Sequence, residues 1–320
     1  TTYYVSQTGT CGESPRAAVL VRKISEATQT LCAPATVANL VSTPSSGTTA
    51  QWFTTATGGT ALATTTAITT GTYYVEQNTP TTVSTFAGSG TDSETDGTGT
   101  AASFNNPRGL AVDVSGNVYV ADYGNHKIRK ITPSGVVSTF VGSVTQGSTD
   151  GIGTAASFNY PRGLAVDASG NVYVADTNNH KIRKITPSGV VSTFVGSVTQ
   201  GSTDGIGTAA SFRYPNEVAV DVSGNVYVAD RNNHKIRKIT SAGVVSTLAG
   251  YGTQGATDGT GTAASFNYPS GVTVDASGNV HVADTNNHKI RKITPAGVVS
   301  TLAGSGDAGA TDGTGTAASF

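Results

Sequence analysis

Short runs of apolar or alternating residues, separated by polar turn residues, recur along most of the chain. In one stretch GLAV (109–112), VYVA (118–121), HKIRKI (126–131) and VVSTFV (136–141) follow one another, with DVSGN, DYGN and TPSG between them. Runs of four to six such residues bounded by Gly, Pro, Asn and Asp predict β-strands joined by tight turns. This stretch therefore predicts four consecutive antiparallel strands.

The same pattern returns every 54 residues, and NHKIRKIT begins at positions 125, 179, 233 and 287. A fixed period of four strands, closed by a longer link, is typical of β-propeller blades, because stacked sheets bury both faces against their neighbours. The predicted fold is all-β, with a partial β-propeller of four four-stranded blades. The predicted units are 83–136, 137–190, 191–244 and 245–298, with a partial fifth over 299–320.

PRGLAVDVSGNVYVADYGNHKIRKI (107–131) resembles an NHL repeat. The matching features are Pro-x-Gly-x-Ala-Val-Asp, Gly-Asn-x-Tyr-Val-Ala-Asp and Asn-His-x-Ile, and they recur four times. The resemblance implies a β-propeller over 81–320, commonly six-bladed and TolB-like in outline. Since four units are visible, we expect an incomplete ring here.

Composition changes near Pro80, before which the chain is rich in Thr and Ala. The segment GTYYVEQ (71–77) echoes TTYYVSQ (1–7), and the region resembles the Ig-like modules of secreted bacterial surface proteins. The resemblance implies the C-terminal remnant of one module at 1–23 and a β-sandwich module at 24–80. It also implies an extracellular or cell-surface location.

The two cysteines leave their pairing open. In the Ig-like pattern a Cys near the module start pairs with one after the Tyr-Tyr-Val strand. Cys32 fits the first position, and Cys11 fits the second position of the preceding module. Cys32 therefore lacks a partner in its own module, and two cysteines do not define a disulfide framework. Trp52, the single tryptophan, is predicted to lie in the core of this region.

The net charge, the length of the apolar runs and the first residue limit the classes of protein that this chain can belong to. The chain has 19 Lys and Arg against 20 Asp and Glu, a formal net charge of −1. This balance argues against a dedicated nucleic-acid-binding protein, which carries a net basic footprint. No apolar run is long enough to predict a membrane span. Because residue 1 is a Thr within an apparent strand, we expect the chain to be a piece or a processed product of a longer protein.

Polar residues that recur in every unit are predicted to serve the scaffold. Rotation about a propeller axis keeps such copies apart, so they cannot easily converge on one substrate. We expect each His to pair with the nearby Asp or with turn backbone, since buried polar groups need partners. The predicted structural positions are Asp122, His126, Asp176, His180, Asp230, His234, Asp284 and His288.

Two other repeated segments have alternative interpretations. Lys127, Arg129 and Lys130 with their copies supply 12 of the 19 basic residues. They form either a cationic belt or, as we favour, cross-strand pairs with acids. TDGTGT is similar to calcium loops, but it has one Asp per copy, whereas Ca²⁺ takes six to eight oxygen ligands. We therefore predict no metal and no cofactor, and a tight turn that places Phe104 and its copies between blades.

Positions at which the units differ are the candidate ligand contacts, because a binding site requires asymmetry. The positions just before the first strand and just after the second strand of each blade lie at the same end of a propeller. That end is the default ligand surface. At one of these positions a Glu replaces the Gly of the other units. The candidate ligand-binding residues are Arg108, Tyr123, Arg162, Thr177, Asn216, Glu217, Arg231, Ser270 and Thr285.

The sequence thus predicts a non-catalytic extracellular binding or scaffold module that presents a propeller face to a protein or glycan. The first alternative, implied by the resemblance, is an enzyme of lyase or lactonase type with a metal on the central axis. In that case Glu217 and Asp221 are the one unusual acidic pair near the inner strand. The second alternative, which we consider less favoured, is nucleic-acid binding through the repeated basic strand.

Overall fold

The computed structural model describes residues 2–9, 12–21, 28–31, 36–39, 49–54, 61–67, 73–78 and 83–320. The chain divides into two compact units, Thr1–Ser84 and Thr85–Phe320. Regular structure in the described ranges consists of β-strands and single 3₁₀ turns. Within those ranges, no helix has the length and apolar character needed to span a membrane.

The N-terminal unit contains one mixed five-stranded sheet. Its strands are β1 (Thr2–Gly9), β2 (Gly12–Val21), β3 (Thr28–Leu31), β4 (Thr49–Phe53) and β5 (Tyr73–Asn78), with a 3₁₀ turn at Val37–Asn39. The strand order is β3-β1-β2-β5-β4, so the two echoed Tyr-Tyr-Val segments flank β2. Trp52 in β4 is buried. Cys11 and Cys32 lie outside the described residues, and the division at 23/24 stays a prediction.

Each predicted blade is present as an antiparallel sheet, and each has a short fifth strand in addition. The strands of blades 1 and 2 are β6 (Gly97–Thr98), β7 (Pro107–Val112), β8 (Val118–Asp122), β9 (Lys127–Ile131), β10 (Val136–Val141), β11 (Gly151–Ile152), β12 (Pro161–Val166), β13 (Val172–Asp176), β14 (Lys181–Ile185) and β15 (Val190–Val195). Those of blades 3 and 4 are β16 (Gly205–Ile206), β17 (Pro215–Val220), β18 (Val226–Asp230), β19 (Lys235–Ile239), β20 (Val244–Ala249), β21 (Gly259–Thr260), β22 (Pro269–Val274), β23 (Val280–Asp284), β24 (Lys289–Ile293) and β25 (Val298–Ala303).

Single 3₁₀ turns occupy two places in the repeat. One follows each two-residue strand, at Gly99–Ala101, Gly153–Ala155, Gly207–Ala209, Gly261–Ala263 and Gly315–Ala317. The other follows the second long strand of each blade, at Tyr123–Asn125, Thr177–Asn179, Arg231–Asn233 and Thr285–Asn287.

The fifth strand comes from the long connection that precedes each blade. In blade 1, Gly97 and Thr98 pair with Val137 and Val136 of β10, the outermost long strand. This pairing covers part of an edge whose N–H and C=O groups otherwise face solvent. The connection therefore belongs structurally to the blade that follows it.

Apolar residues on both faces of each sheet pack against the neighbouring blades. Between blades 1 and 2, Tyr119, Ala121 and Ile128 from one sheet contact Leu164 and Val172 from the next. Phe158, at the end of the connection, is fully buried in the same cluster, as predicted for this repeated phenylalanine. Burial from both sides explains why the strands do not alternate strictly between apolar and polar residues.

The innermost strands β7, β12, β17 and β22 approach one another closely and line an open central channel of about 600 Å³. A Cβ added at Gly109 would lie 2.5 Å from the carbonyl oxygen of Arg162, and one added at Gly163 would lie 2.5 Å from the Cα of Glu217. Glycine at these two positions therefore permits the close approach of consecutive blades.

Candidate functional site

A fully buried arginine in the third long strand of each blade holds the adjoining turn in place. Arg183 donates from Nη1 to Asp176 at 2.8 Å and from Nη2 to Asp150 at 2.6 Å. The buried Asp176 carboxylate also accepts from Asn179 Nδ2 and from the Asn159 backbone N–H, both at 2.8 Å. Opposite charge and the bonds to both Nη atoms of Arg183 offset the cost of burying these ions, although its Nε has no hydrogen-bond partner. The same arrangement surrounds Arg129 with Asp122, Arg237 with Asp230, and Arg291 with Asp284.

The buried arginines decide between the alternative interpretations of the basic strand and of the TDGxGT segment. The arginines of the basic strand face the core, so they are not available to a nucleic acid. Lys127 of the same strand pairs with Glu94 at 2.6 Å. Asp96 in TDGTGT accepts from Arg129 at 2.6 Å, and the Asp at the same position of the other units binds the equivalent arginine. The TDGxGT segments therefore supply carboxylates to the buried arginines.

The repeated histidine connects neighbouring blades. His126 has a left-handed backbone, with φ 56°, and its Nδ1 accepts a hydrogen bond from the Tyr160 backbone N–H at 3.1 Å. Its ring meets the Tyr160 ring edge-on, with centroids 4.5 Å apart. Burial lowers the pKa of His126, which favours the neutral ring that this contact requires. His180 with Tyr214 and His234 with Tyr268 repeat the contact, and His288 has the same left-handed backbone.

Of the two contacts expected for each histidine, with the nearby Asp or with turn backbone, His126 does not make the one with Asp122. The Asp122 carboxylate already accepts from Arg129, from Asn125 Nδ2 and from the Asn105 backbone N–H. The left-handed turn at His126 directs its imidazole to the next blade instead.

The starts of the innermost strands and the turns after the second strands lie at one end of the propeller, which we call the upper face. There Arg108 and Arg162 both stack on Tyr123, each with its guanidinium carbon 5.2 Å from the ring centre. Such contacts contribute about 0.5–1 kcal/mol at exposed sites. One tyrosine thus holds the arginines of two consecutive blades together.

Hydrogen bonds continue this contact across blades 3 and 4. Arg162 Nη1 donates to Asn216 Oδ1 at 3.0 Å, and Asn216 Nδ2 donates to the Ser270 carbonyl at 2.7 Å. The Ser270 hydroxyl is hydrogen bonded to the Thr285 hydroxyl. Six of the nine candidate residues therefore form one connected set, the upper-face row, which consists of Arg108, Tyr123, Arg162, Asn216, Ser270 and Thr285.

The structure places Thr177 and Arg231 outside the row. Thr177 is buried, and its hydroxyl donates to the Pro215 carbonyl at 2.8 Å, so it is not presented to a ligand. Arg231 stacks on Tyr268, with its guanidinium carbon 4.9 Å from the ring centre.

Arg213, which the sequence interpretation missed, is an exposed cation whose backbone carbonyl accepts from the N–H of Asn232, the neighbour of Arg231. Both arginines act on His234, whose pKa is lowered mainly by burial and further by the two charges. Arg213 occupies a position that is Asn in the other three units, at 105, 159 and 267. Comparison of the units at this position, as at the other variable positions, would have found it.

Glu217 lies where β17 meets the channel, over Gly163 of the preceding blade. Its Oε1 accepts from the Val218 backbone N–H at 3.2 Å, and burial raises the pKa of this carboxyl to about 7. Asp221 lies beyond the opposite end of β17, where it accepts from Asn225 and Tyr227. The two acids therefore do not form a pair at one end of the inner strand.

The raised pKa of Glu217 makes stability depend on pH. The folded chain binds this proton more tightly than the unfolded chain, in which the pKa is near 4.5. The contribution is fully present below pH 4.5 and is lost as the pH rises through about 7. Relative to Glu217→Gln, the wild type should lose about 2 kcal/mol of unfolding free energy between pH 5 and pH 8. Urea denaturation of both proteins at several pH values tests this, and parallel pH profiles would contradict it.

The four blades, with their buried Asp–Arg pairs and interlocking histidines, define a partial β-propeller. The model for the NHL repeat matches residues 104–131, 158–185, 212–239 and 266–293, so the chain carries four NHL repeats. An Ig-like domain of the CHU_C-associated kind precedes them and matches residues 21–87.

Known proteins are similar to part of this chain. Protein SUPPRESSOR OF QUENCHING 1, chloroplastic, from Arabidopsis thaliana, is 32% identical over 228 residues, which cover 66% of this chain and 22% of that protein. The chain thus spans under a quarter of the length of this curated relative. An auxiliary nutrient binding protein from Bacteroides ovatus superposes with a TM-score of 0.50 at 23% identity, covering 62% of this chain and 49% of that one. A streptogramin B lyase superposes with a TM-score of 0.45 at 17% identity, covering 61% and 54%.

Proposed function

We propose that the propeller is a non-catalytic extracellular binding module that presents its upper face to a protein or glycan. The observation that supports this is the upper-face row, which connects residues of all four blades in the segments where the repeats differ. Fixed arginine, asparagine and hydroxyl groups on a rigid scaffold favour recognition, because little side-chain freedom is lost on binding.

The titratable groups near this face already have scaffold roles, which supports binding over catalysis. His126, His180 and His234 accept inter-blade hydrogen bonds, and the four buried aspartates neutralise arginines. Glu217 accepts backbone N–H groups, and the acid expected beside it caps a turn at the far end of the strand. Among the described residues near this face, Glu217 is therefore the acid on which the lyase alternative depends.

The Ig-like domain supports a surface location. The Ig-like modules that this region resembles occur in secreted bacterial surface proteins, where they serve as spacers. A module of this kind before the propeller suits a protein that holds a binding face away from its attachment point.

The double variant Arg108→Ala/Arg162→Ala tests the proposal. It removes both guanidinium groups from Tyr123 and leaves the core intact, so binding should fall at least about tenfold with little change in thermal stability. The probe is an array of neutral and acidic oligosaccharides and extracellular-matrix proteins, scored with the whole chain.

The matched control is Lys130→Ala/Lys184→Ala, which also removes two positive charges. These lysines lie over Tyr119 and Tyr173 on the blade sides, away from the upper face. Equal loss of binding in both variants would exclude the upper face as the site. If the arginine variant loses thermal stability to the same degree as binding, the upper face is also excluded as the site.

A further inference from the structure

We propose that the ligand of the upper face is an acidic polysaccharide, which two pairs of arginines hold through its carboxylate or sulfate groups. The first pair is Arg108 with Arg162, and the second is Arg213 with Arg231. This inference rests on the proposed function, since it names the ligand class of the same face.

The four arginines are cations without a carboxylate partner in the described part of the chain. The described ion pairs occupy the four core arginines, Lys127 and His281, and none involves either pair. Arg108 and Arg162 are held on one ring despite their like charge. An anion between two such guanidinium groups relieves their repulsion and accepts several charge-assisted hydrogen bonds.

The opposite end of the propeller carries acidic turns. Its turns between the first and second strands contain one aspartate per blade, at positions 113, 167, 221 and 275. Hydrogen bonds from Asn117, Ser115 and Tyr119 lower the pKa of Asp113 and hold it ionised. Lysines such as Lys130 lie near these aspartates, over the tyrosines that bond them, whereas the four upper-face arginines have no described carboxylate partner, so a polyanion is attracted to the upper face.

The arrangement of the two pairs fits a linear polymer with spaced charges. The first pair lies where blade 1 meets blade 2. Of the second pair, Arg231 lies over Tyr268 of blade 4, and Arg213 lies at the start of blade 3, where it also acts on His180 of blade 2. Beside them are the Asn216 amide, which accepts from Arg162, and Tyr214, whose ring is partly exposed. An amide suits sugar hydroxyl groups, and an exposed aromatic ring suits the apolar face of a pyranose.

The same residues are a poor match to single-stranded nucleic acid. Proteins that bind it stack successive bases on free aromatic side chains. Here guanidinium groups cover Tyr123 and Tyr268, and Tyr160 packs against both Tyr123 and His126. Tyr214 packs edge-on against His180 in the same way, with ring centroids 4.7 Å apart, so its ring is only partly exposed.

The test compares polymers that differ in charge alone. The probes are polygalacturonate against its methyl ester, and dextran sulfate against dextran, with poly(dT) and poly-glutamate as other polyanions. The whole chain should bind the two acidic polysaccharides and neither neutral form, and binding should weaken as salt rises from 20 to 300 mM. Arg108→Ala/Arg162→Ala and Arg213→Ala/Arg231→Ala should each lower affinity at least tenfold. Lys130→Ala/Lys184→Ala should change it less than twofold.

The possible outcomes separate this inference from the proposed function. Equal binding of charged and neutral forms, still sensitive to Arg108→Ala/Arg162→Ala, would overturn the anionic ligand and keep the binding face. Tighter binding of poly(dT) or poly-glutamate would overturn the polysaccharide class. Absence of binding to both acidic polysaccharides would overturn the inference, and the array experiment would then decide the proposed function by itself.

Discussion

Replacement of Arg183 by Met should lower the free energy of unfolding by about 3–5 kcal/mol. The variant leaves the fully buried Asp176 without its counter-charge and removes the link from the third long strand to Asp150 in the preceding connection. Loss of one partner from a buried pair costs more than the pair itself contributes, because the remaining ion stays desolvated. Urea denaturation of the whole chain, followed by circular dichroism, measures the effect.

Lys184→Met is the matched control, because it makes the same change in charge one residue further along β14. Lys184 lies over the Tyr173 ring, 5.5 Å from its centre, and keeps access to solvent. Its replacement should change the unfolding free energy by less than about 1 kcal/mol. If the two variants lose equal stability, the buried pair does not have the central role assigned to it.

Gly163→Ala should have the second-largest effect, a loss of about 1–3 kcal/mol. The added Cβ would lie 2.5 Å from the Cα of Glu217 in the next blade, and it would also meet the carboxyl group of that residue. The side chain can move aside, but the backbone cannot, so blades 2 and 3 would have to separate. Thermal unfolding and urea denaturation both report the change.

The fourth blade offers the control. A Cβ added at Gly271, the equivalent position, would meet only the Ala283 Cβ, at 3.3 Å. Gly271→Ala should therefore be tolerated with a loss of under about 1 kcal/mol. A similar cost at both positions would mean that backbone conformation, and not contact between blades, determines the requirement for glycine.

Repetition made the fold of the propeller predictable. The four long strands of each blade follow from apolar runs and turn residues, which depend on local sequence. The fifth strand did not follow, because Gly97 and Thr98 carry no strand signal and pair only once Val136 and Val137 are in place. Tertiary contacts create this strand, and local preference does not.

The candidate site was predictable in part. Comparison of the units selected the upper-face row, including Arg108, Arg162 and Asn216, because a recognition surface needs positions that differ. The pairing of Arg129 with an acid of the neighbouring strand was the favoured prediction, but its complete burial was missed, because arginine is rarely fully buried. The signal was present, because alternation along β9 places Arg129 on the same face as the buried Ile131.

The inward packing of each connection on its own blade has a consequence for how such a protein evolves. The segment 142–195, from one connection to the end of the following outer strand, contains its own arginine, both aspartate partners and its edge strand. Unequal crossing-over between copies that adds or deletes 54 residues restores the same junction wherever the exchange occurs. Each unit gained or lost by recombination is therefore complete in its buried ion pairs and edge strand, while point mutations diversify the few divergent positions of the upper face.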